Sequence, residues 1–373
     1  MKKVVILIIM IITHINFSFV SAYSITNTGY VAYKYNENEI RPIASLTKVM
    51  NIMVALDEVK KGHISLNDKV TITDDMVKIN ETGIDIKKGD KIRLEDLLKA
   101  QVVYSANNAA YATAYYISKN NIENYIELMN AKAQQLQMTN TKFYTPAGLP
   151  TKYTKKPVDV STAYDLSKLS LEALKYDKLI EWANLKTINI KGKKYINRNI
   201  LLGKDGNFGL KTGYHTLSGF NMIGLYKVKG VILINISLAD ETNENKFKTQ
   251  QKLMNDFKKN LKQYLYKDQF YAALNLEHFK QKNINTAIAS DFFYYNTDFI
   301  IKEKVYNLNK DISIGSKVGD IEIYSLNGKI IKKIDIIAKT EAKKLNIFER
   351  ILKFFGILWK AEYENLWRYI RIL

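Results

Sequence analysis

"IASLTKVMNIMVALDEVKKG", residues 43–62, is the stretch on which the reading of this chain turns. Ser45 stands three residues before Lys48, and Leu46, Val49, Met53, Leu56 and Val59 follow helical spacing until Gly62. The pattern predicts a helix from Ser45 to about Lys61. Positions i and i+3 share a helix face, so the hydroxyl and the amine are neighbours. A serine ahead of an apolar helix is an ordinary N-cap. A serine beside a neutral lysine is a nucleophile beside its base. Lysine becomes neutral when it is desolvated or set near a second cation. S-x-x-K occurs once in the chain.

Composition narrows the classes around this pair. A chain of 373 residues exceeds what one core usually fills, so two domains are expected. With 47% hydrophobic and 25% charged residues it reads as globular. The net charge of +19 points to a polyanionic partner, such as nucleic acid, anionic lipid or an acidic wall polymer. A plain bias toward Lys, Asn, Ile and Tyr is the bland alternative. No nucleic-acid motif appears, so no nucleic-acid partner is expected. There is no cysteine, which excludes thiol catalysis and disulfides. The four histidines, His14, His63, His215 and His278, form no H-x-x-x-H pair, and no G-x-S-x-G elbow occurs.

The N-terminus "MKKVVILIIMIITHINFSFVSAYS" places Lys2 and Lys3 before an apolar run, Val4 to Thr13, and ends in Val20-Ser21-Ala22. This reads as a secretory signal over 1–22, cleaved after Ala22, with an uncleaved anchor as the alternative. Export follows from either.

Residues 23–40 read as two strands joined at Asn27-Thr28-Gly29. "LEDLLKAQVVYSANNAAYATAYYI", from Leu94, has no Gly or Pro and reads as one long buried helix. Helices are also expected at about 121–136, at 161–175 with Ser161 as N-cap, and at about 245–265. "FYTPAGLP", 143–150, reads as a loop. "KTINIKGKKYIN" reads as a hairpin around Gly192, and 208–238 as three further strands. Residues 266–340 alternate in short stretches, including an Asn327-Gly328 turn, and read as a small all-β domain.

In the last 33 residues Leu345, Phe348, Ile351, Leu352, Phe355, Leu358 and Trp359 begin an apolar face that Leu366, Trp367, Ile370 and Leu373 continue. Lys and Arg lie mostly off it. No run reaches the ~20 apolar residues of a spanning helix. A helix lying in a membrane interface fits; packing on the body or on a partner helix is the alternative.

Two more pieces carry chemistry. S-x-N occurs at Ser65, Ser105, Ser118 and Ser325, and only Ser105-Ala106-Asn107 lies within a buried helical segment. Lys211-Thr212-Gly213 occurs once, at the start of the inner strands. There the glycine is expected to let a substrate backbone pair along the strand edge. Each piece alone is also ordinary surface or cap chemistry.

Their order and spacing resemble the penicillin-binding protein and serine β-lactamase superfamily. "RPIASLTKVM", "DIKKGDKIRLEDLL", "YSANNAA", "STAYDL", "NRNILL" and "GLKTGY" together look like the low-molecular-mass penicillin-binding proteins, the serine D-alanyl-D-alanine carboxypeptidases of peptidase family S11. The resemblance implies an α/β (α+β) transpeptidase-like sandwich, a five-stranded antiparallel sheet against helices. The implied domains are 23–262 for the peptidase, 263–340 for the β-rich domain and 341–373 for the amphipathic helix.

It also implies roles. Ser45 attacks the D-Ala-D-Ala carbonyl of a peptidoglycan stem peptide while capping its helix. Lys48 is the base. The N–H groups of Ser45 and Tyr214 hold the oxyanion. Ser105 and Lys211 pass a proton to the leaving D-alanine. Asn107 holds the peptide; Thr212, beside Gly213, and Arg198 hold its terminal carboxylate. β-Lactams acylate Ser45 as substrate mimics. No cofactor or metal is implied. The implied site of action is the periplasmic side of the cytoplasmic membrane, with the C-terminal helix on the membrane surface.

Three positions depart from the family pattern. Asn108 replaces the usual aspartate, with a structural effect expected. A basic residue usual after the inner strands is offered by Lys246 or by Lys248. His215 is not expected to be catalytic. Three rivals remain: a D,D-endopeptidase acting on cross-links with the same chemistry, a non-catalytic wall-binding protein, whose mark would be the loss of Ser45 or Lys48, and a β-lactamase. The last needs an acid between S-x-N and K-T-G, where residues 145–165 offer Asp159 and Asp165.

Overall fold

The apolar repeat at 46–59 builds a helix that lies at the centre of its unit. The structure is a computed structural model and describes residues 18–78, 81–295, 298–326 and 328–354. The chain divides into two compact units, one ending at Asn260 and one beginning at Leu261. In the first, helix α1 (Thr47–Lys60) is buried at every residue from Thr47 to Ala55. A helix buried on all sides belongs inside a helical cluster. Helices α2 (Leu94–Val103), α3 (Asn107–Ile117), α4 (Ile122–Gln135), α5 (Ala163–Ala173) and α6 (Asp177–Ala183) supply that cluster.

The cluster packs against a sheet. Strands β1 (Ser21–Thr26) and β2 (Val31–Tyr35) form its first hairpin. A separate hairpin, β3 (Thr187–Ile190) with β4 (Lys193–Ile196), stands apart. Strands β5 (Asn207–His215), β6 (Gly219–Val228) and β7 (Val231–Asp240) complete the sheet in the order β2-β1-β7-β6-β5, all antiparallel. β6 and β7 read as near-continuous buried runs, which means both faces are covered. α5 packs on β1 and β7, and helix α7 (Asn243–Asn260) on β6 and β7. β5 is left as an edge strand, with the turn that carries Ser45 against it.

Several local expectations need correcting. Residues 94–117 are two helices, broken at Tyr104–Ala106 where Ser105 takes φ +68°. The apolar pattern runs through the break, so periodicity does not reveal it. The turn is held by Ala106 N–H to Ala100 O at 3.1 Å and Asn107 N–H to Thr82 O at 2.7 Å. Ser45 does not cap α1. It sits in a 3-10 turn, Ala44–Leu46, and neither that turn nor α1 has a side-chain cap bond. The cap of α5 is Thr162, whose Oγ1 accepts from Asp165 N–H at 3.0 Å; Ser161 lies in a short strand.

The start of the sheet bears on the leader. Ser21 and Ala22 are fully buried in β1, opposite Leu238 and Ser237. Before them, Val20 N–H donates to Leu238 O at 3.0 Å and Glu241 N–H to Ser18 O at 2.9 Å. Phe19 is buried and meets Tyr35 edge-on at 5.8 Å. The folded unit therefore includes residues 18–22, and a boundary after Ala22 cuts through its first strand. Residues 1–17, which hold the apolar leader run, lie outside the described residues.

The second unit is built from alternating strands. β8 (Lys262–Leu265) pairs with β11 (Phe292–Tyr294). β9 (Phe270–Asn275), β10 (Asn283–Ile288), β12 (Phe299–Val305), β13 (Lys317–Ser325) and β14 (Ile330–Ala338) form a sheet ordered β9-β10-β14-β13-β12. Ile284, Ile288, Ile321, Ile323, Ile334 and Ile336 fill its core. Asn327 of the expected turn lies outside the described residues. The expected helix over 341–373 needs correcting at its start. Ala342 bridges Ile312, Lys344 bridges Phe279, and Ala342 and Leu345 are buried, so helix α8 (Ile347–Phe354) begins only at Ile347. Residues 355–373 lie outside the described residues.

Candidate active site

Ser45, Ser105 and Lys211 come from three different elements and meet where the turn before α1, the break between α2 and α3, and the edge strand β5 converge. Glycine permits that convergence at two places. A Cβ on Gly213 would lie 2.9 Å from Ile43 O and 3.2 Å from Ser45 N, so β5 approaches the Ser45 turn backbone to backbone. Gly148, at φ +75°, lies so close that a Cβ would fall 1.9 Å from Ala44 O. The glycine of K-T-G thus serves the fit of strand to turn.

Lys48 is completely buried. Its Nζ lies 2.8 Å from Ser45 Oγ, 2.7 Å from Asn107 Oδ1 and 2.7 Å from Ala147 O. Two of these partners, an amide oxygen and a carbonyl oxygen, can only accept. A neutral amine has two N–H groups for them and one lone pair, which then faces the only partner able to donate, the Ser45 hydroxyl. Burial pushes Lys48 down to about 7, with Asp159 and Glu81 pulling the other way. The neutral form is therefore accessible near pH 7.

A second pair stands beside it. Lys211 Nζ donates to Ser105 Oγ at 2.9 Å and to Thr212 O at 2.7 Å. Burial holds Lys211 well below its usual range, and the nearby cations Lys48, Lys246 and Arg198 push it the same way. Ser105 is held in a left-handed backbone conformation that costs a non-glycine residue about 1 kcal/mol or more, a form of strain that clusters at functional sites. The Asn107 oxygen is taken by Lys48, which leaves its amide N–H groups available.

The remaining expected residues line one cleft. Ser45, Ser105, Thr212, Gly213, Tyr214 and Arg198 all face it. Tyr214 is half exposed and stacks on Phe220, with centroids 4.1 Å apart. Arg198 lies over the Tyr104 ring at 4.3 Å. Asn107 and Lys211 are buried and do not line it; they stand behind it, bonded to Lys48 and to Ser105.

Position separates Lys246 from Lys248. Lys246 is buried, lines the cleft, donates to Asn243 Oδ1 at 2.8 Å and lies over the Phe247 ring at 4.4 Å. Burial pushes it down to about 8. Lys248 is exposed and paired with Glu244 at 2.6 Å. The sequence offers the two as equals within one K-F-K triplet.

Two supports are not recognisable as such in the sequence. The Ala147 carbonyl belongs to loop 143–150, and a backbone acceptor leaves no mark in composition. Asp159 is buried and accepts from Thr47 Oγ1, Tyr144 N–H, Thr145 N–H and Thr145 Oγ1 at 2.7–3.0 Å. It ties the first turn of α1 to the loop carrying Ala147. Burial raises its pKa to about 6 against those bonds. Asp165 is likewise buried and bonded to Asn140 N–H, Thr141 Oγ1 and Lys168. Neither lines the cleft, so neither is placed to activate a water there.

Asn108 has a structural task. Its side chain accepts from Ile84 N–H at 3.1 Å and donates to Ile84 O at 2.8 Å, a two-way clasp that an aspartate cannot make. His215 Nδ1 accepts from Ser218 N–H at 3.1 Å and serves the β5–β6 turn.

Comparison with known proteins gives a consistent pattern. A family model described as D-alanyl-D-alanine carboxypeptidase matches residues 22–242. The D-alanyl-D-alanine carboxypeptidase DacF of Bacillus subtilis is 26% identical over 351 residues, spanning 88% of this chain and 87% of its own. A D-alanyl-D-alanine endopeptidase of Haemophilus influenzae is 34% identical over 231 residues, 56% of this chain and 75% of its own. The ampicillin-bound crystal structure of penicillin-binding protein D2 from Listeria monocytogenes superposes with a TM-score of 0.59 at 28% identity, covering 65% of this chain and 98% of that one.

Proposed function

This chain belongs to the D-alanyl-D-alanine carboxypeptidase family, and we propose that it removes the terminal D-alanine from peptidoglycan stem peptides through an acyl-enzyme on Ser45. The observation that carries the reading is the bonding of buried Lys48, whose Nζ reaches Ser45 Oγ at 2.8 Å while two pure acceptors take its N–H groups.

Neutral Lys48 takes the Ser45 proton as Oγ bonds to the carbonyl carbon of the penultimate D-alanine. The oxyanion lies between the N–H groups of Ser45 and Tyr214; the close seat of Gly213 on the Ser45 turn supports that pairing. The C–N bond breaks, and the Ser105–Lys211 pair delivers a proton to the departing amine. Water then hydrolyses the ester. The free Asn107 amide holds the peptide. Thr212, Arg198 and Lys246 receive the terminal carboxylate. A β-lactam acylates the same serine, in keeping with the ampicillin complex of the Listeria relative.

A β-lactamase reading loses support because Asp159 and Asp165 are buried and bonded elsewhere. A purely wall-binding role leaves the Ser45–Lys48 and Ser105–Lys211 pairs without a purpose.

The leader and the C-terminal helix support export and attachment to the outer surface of the cytoplasmic membrane. α8 exposes Ile347, Phe348, Ile351 and Phe354, an apolar stripe suited to a lipid interface. Among the described residues no helix is long and apolar enough to cross a membrane.

The test is release of D-alanine from a stem pentapeptide ending in D-Ala-D-Ala. The full chain releases it and the Ser45→Ala variant does not; equal release by both sinks the reading.

A further inference from the structure

Lys246 is buried and lines the cleft at Ser45, where none of the lining residues is acidic. Among the described residues its Nζ has one hydrogen-bond partner, the neutral Asn243 Oδ1 at 2.8 Å, and no ion pair. An ammonium has three N–H groups, so two are left for a ligand. A buried ammonium is costly unless an opposite charge answers it. The cleft supplies none. Lys193, Lys194 and Arg198 line it, and Lys211 on β5 is close enough for its charge and that of Lys246 to oppose each other. On the near side, Glu241 and Glu244 are exposed, and Glu244 is paired with Lys248.

The answering charge stands behind the cleft. Asp240 ends β7, opposite Phe220 of β6, and is fully buried. Its Oδ1 accepts from Thr249 Oγ1 at 2.7 Å and from Ser18 Oγ at 3.2 Å. Its Oδ2 has no hydrogen-bond partner among the described residues. Thr249 follows Lys246 by three residues on α7, and positions i and i+3 share a helix face. The face of α7 that meets Asp240 is therefore the one that carries Lys246. Lys246 Nζ also lies 5.6 Å from the ring of Phe220, the cross-strand partner of Asp240. The two charges support each other. Burial brings Lys246 down to about 8 against the pull of Asp240. Burial brings Asp240 up to about 6 against the Thr249, Ser237 and Ser18 hydroxyls and Lys246. Between those values both are charged. The acid does not bond the ammonium, so it supports Lys246 without capturing it.

We propose that Asp240 is a positioning residue for this reaction: from behind the cleft it balances the charge of Lys246 and leaves the ammonium open to the terminal carboxylate of the substrate. This rests on the reading of Lys246 as a receiver of that carboxylate. Thr249 and Ser18 fix the orientation of the acid.

The experiment gives the full chain two acyl donors. One is a stem pentapeptide ending in D-Ala-D-Ala. The other is the same peptide with its last residue replaced by a thioester to an uncharged thiol, so only the first offers a terminal carboxylate. Asp240→Asn keeps the shape of the side chain and an oxygen for Thr249 and Ser18, and removes the charge. It raises KM for the pentapeptide about tenfold, the size expected for losing one charge-assisted contact, with kcat little changed. Thioester hydrolysis stays at the wild-type rate, which also shows that the variant is folded. In wild type, kcat/KM for the pentapeptide falls above about pH 8 as Lys246 loses its proton. In Asp240→Asn that fall begins at lower pH. Lys246→Met raises the same KM, and adding Asp240→Asn to it brings no further loss, because the acid acts through the lysine. No change in Asp240→Asn, equal losses on both donors, or a full further loss on top of Lys246→Met overturns the inference. If Lys246→Met leaves the pentapeptide KM unchanged, the carboxylate reading of Lys246 has failed and the inference falls with it.

Discussion

At the scale of single residues, the account rests on the protonation of Lys48. The base must be neutral to take the Ser45 proton, and its pKa is pushed down to about 7 by burial. Penicillin acylation should therefore fall about tenfold per pH unit below that value and level off above it. Stopped-flow acylation rates against pH measure this. Lys48→Arg keeps a cation that cannot deprotonate, so it should lose about 10²–10⁴ in rate and the dependence with it. A flat profile for wild type would contradict the assignment. The three motifs were legible through their order and spacing, since each alone is also ordinary surface or cap chemistry. Ser105's strained turn was not, because the apolar pattern continues unbroken from Leu94 through Ile117. Nor was the Ala147 carbonyl, which any residue supplies. Lys246 and Lys248 differ in burial and in partners, which one triplet of sequence does not encode.

At the scale of elements, the central helix, the hairpin at Asn27-Thr28-Gly29, the hairpin at Gly192 and the inner strands follow from periodicity and turn residues. Ends and caps do not. Ser45 sits in a 3-10 turn and caps nothing, and Thr162 displaces Ser161 because the chain enters α5 one residue later. The first strand is the consequential case. Small residues that read as a cleavage site are also well suited to a buried strand, and Ser21 and Ala22 are both fully buried there. A protein beginning at Tyr23 lacks them, the buried Phe19 and the Ser18 contacts. It should be about 3 kcal/mol less stable than one beginning at Ser18, as for loss of a buried aromatic. Urea denaturation of the two forms checks this; equal midpoints would mean that residues 18–22 contribute nothing to the fold.

At the scale of the whole molecule, the proposed attachment to an anionic, lipid-bounded surface draws on the positive charge and on the apolar stripe of α8. On the proposed attachment, removing residues 347–373, which leaves the buried Ala342 and Leu345 in place, should move the protein from the membrane fraction to the soluble one, while penicillin acylation is retained. Fractionation followed by labelling with a fluorescent penicillin reads both at once. Membrane retention of the shortened chain would assign attachment to the N-terminal segment instead. Fold class was legible from the order of the elements, and the division after Asn260 from the change to short alternating stretches there. The purpose of the second unit was not, since alternating strands report a core and name no ligand.

The most direct test of the central claim is intact-mass spectrometry of the protein with and without penicillin, beside Ser45→Ala. The account predicts one penicilloyl adduct on wild type and none on the variant. An adduct of equal yield on Ser45→Ala, or none on folded wild type, would contradict it.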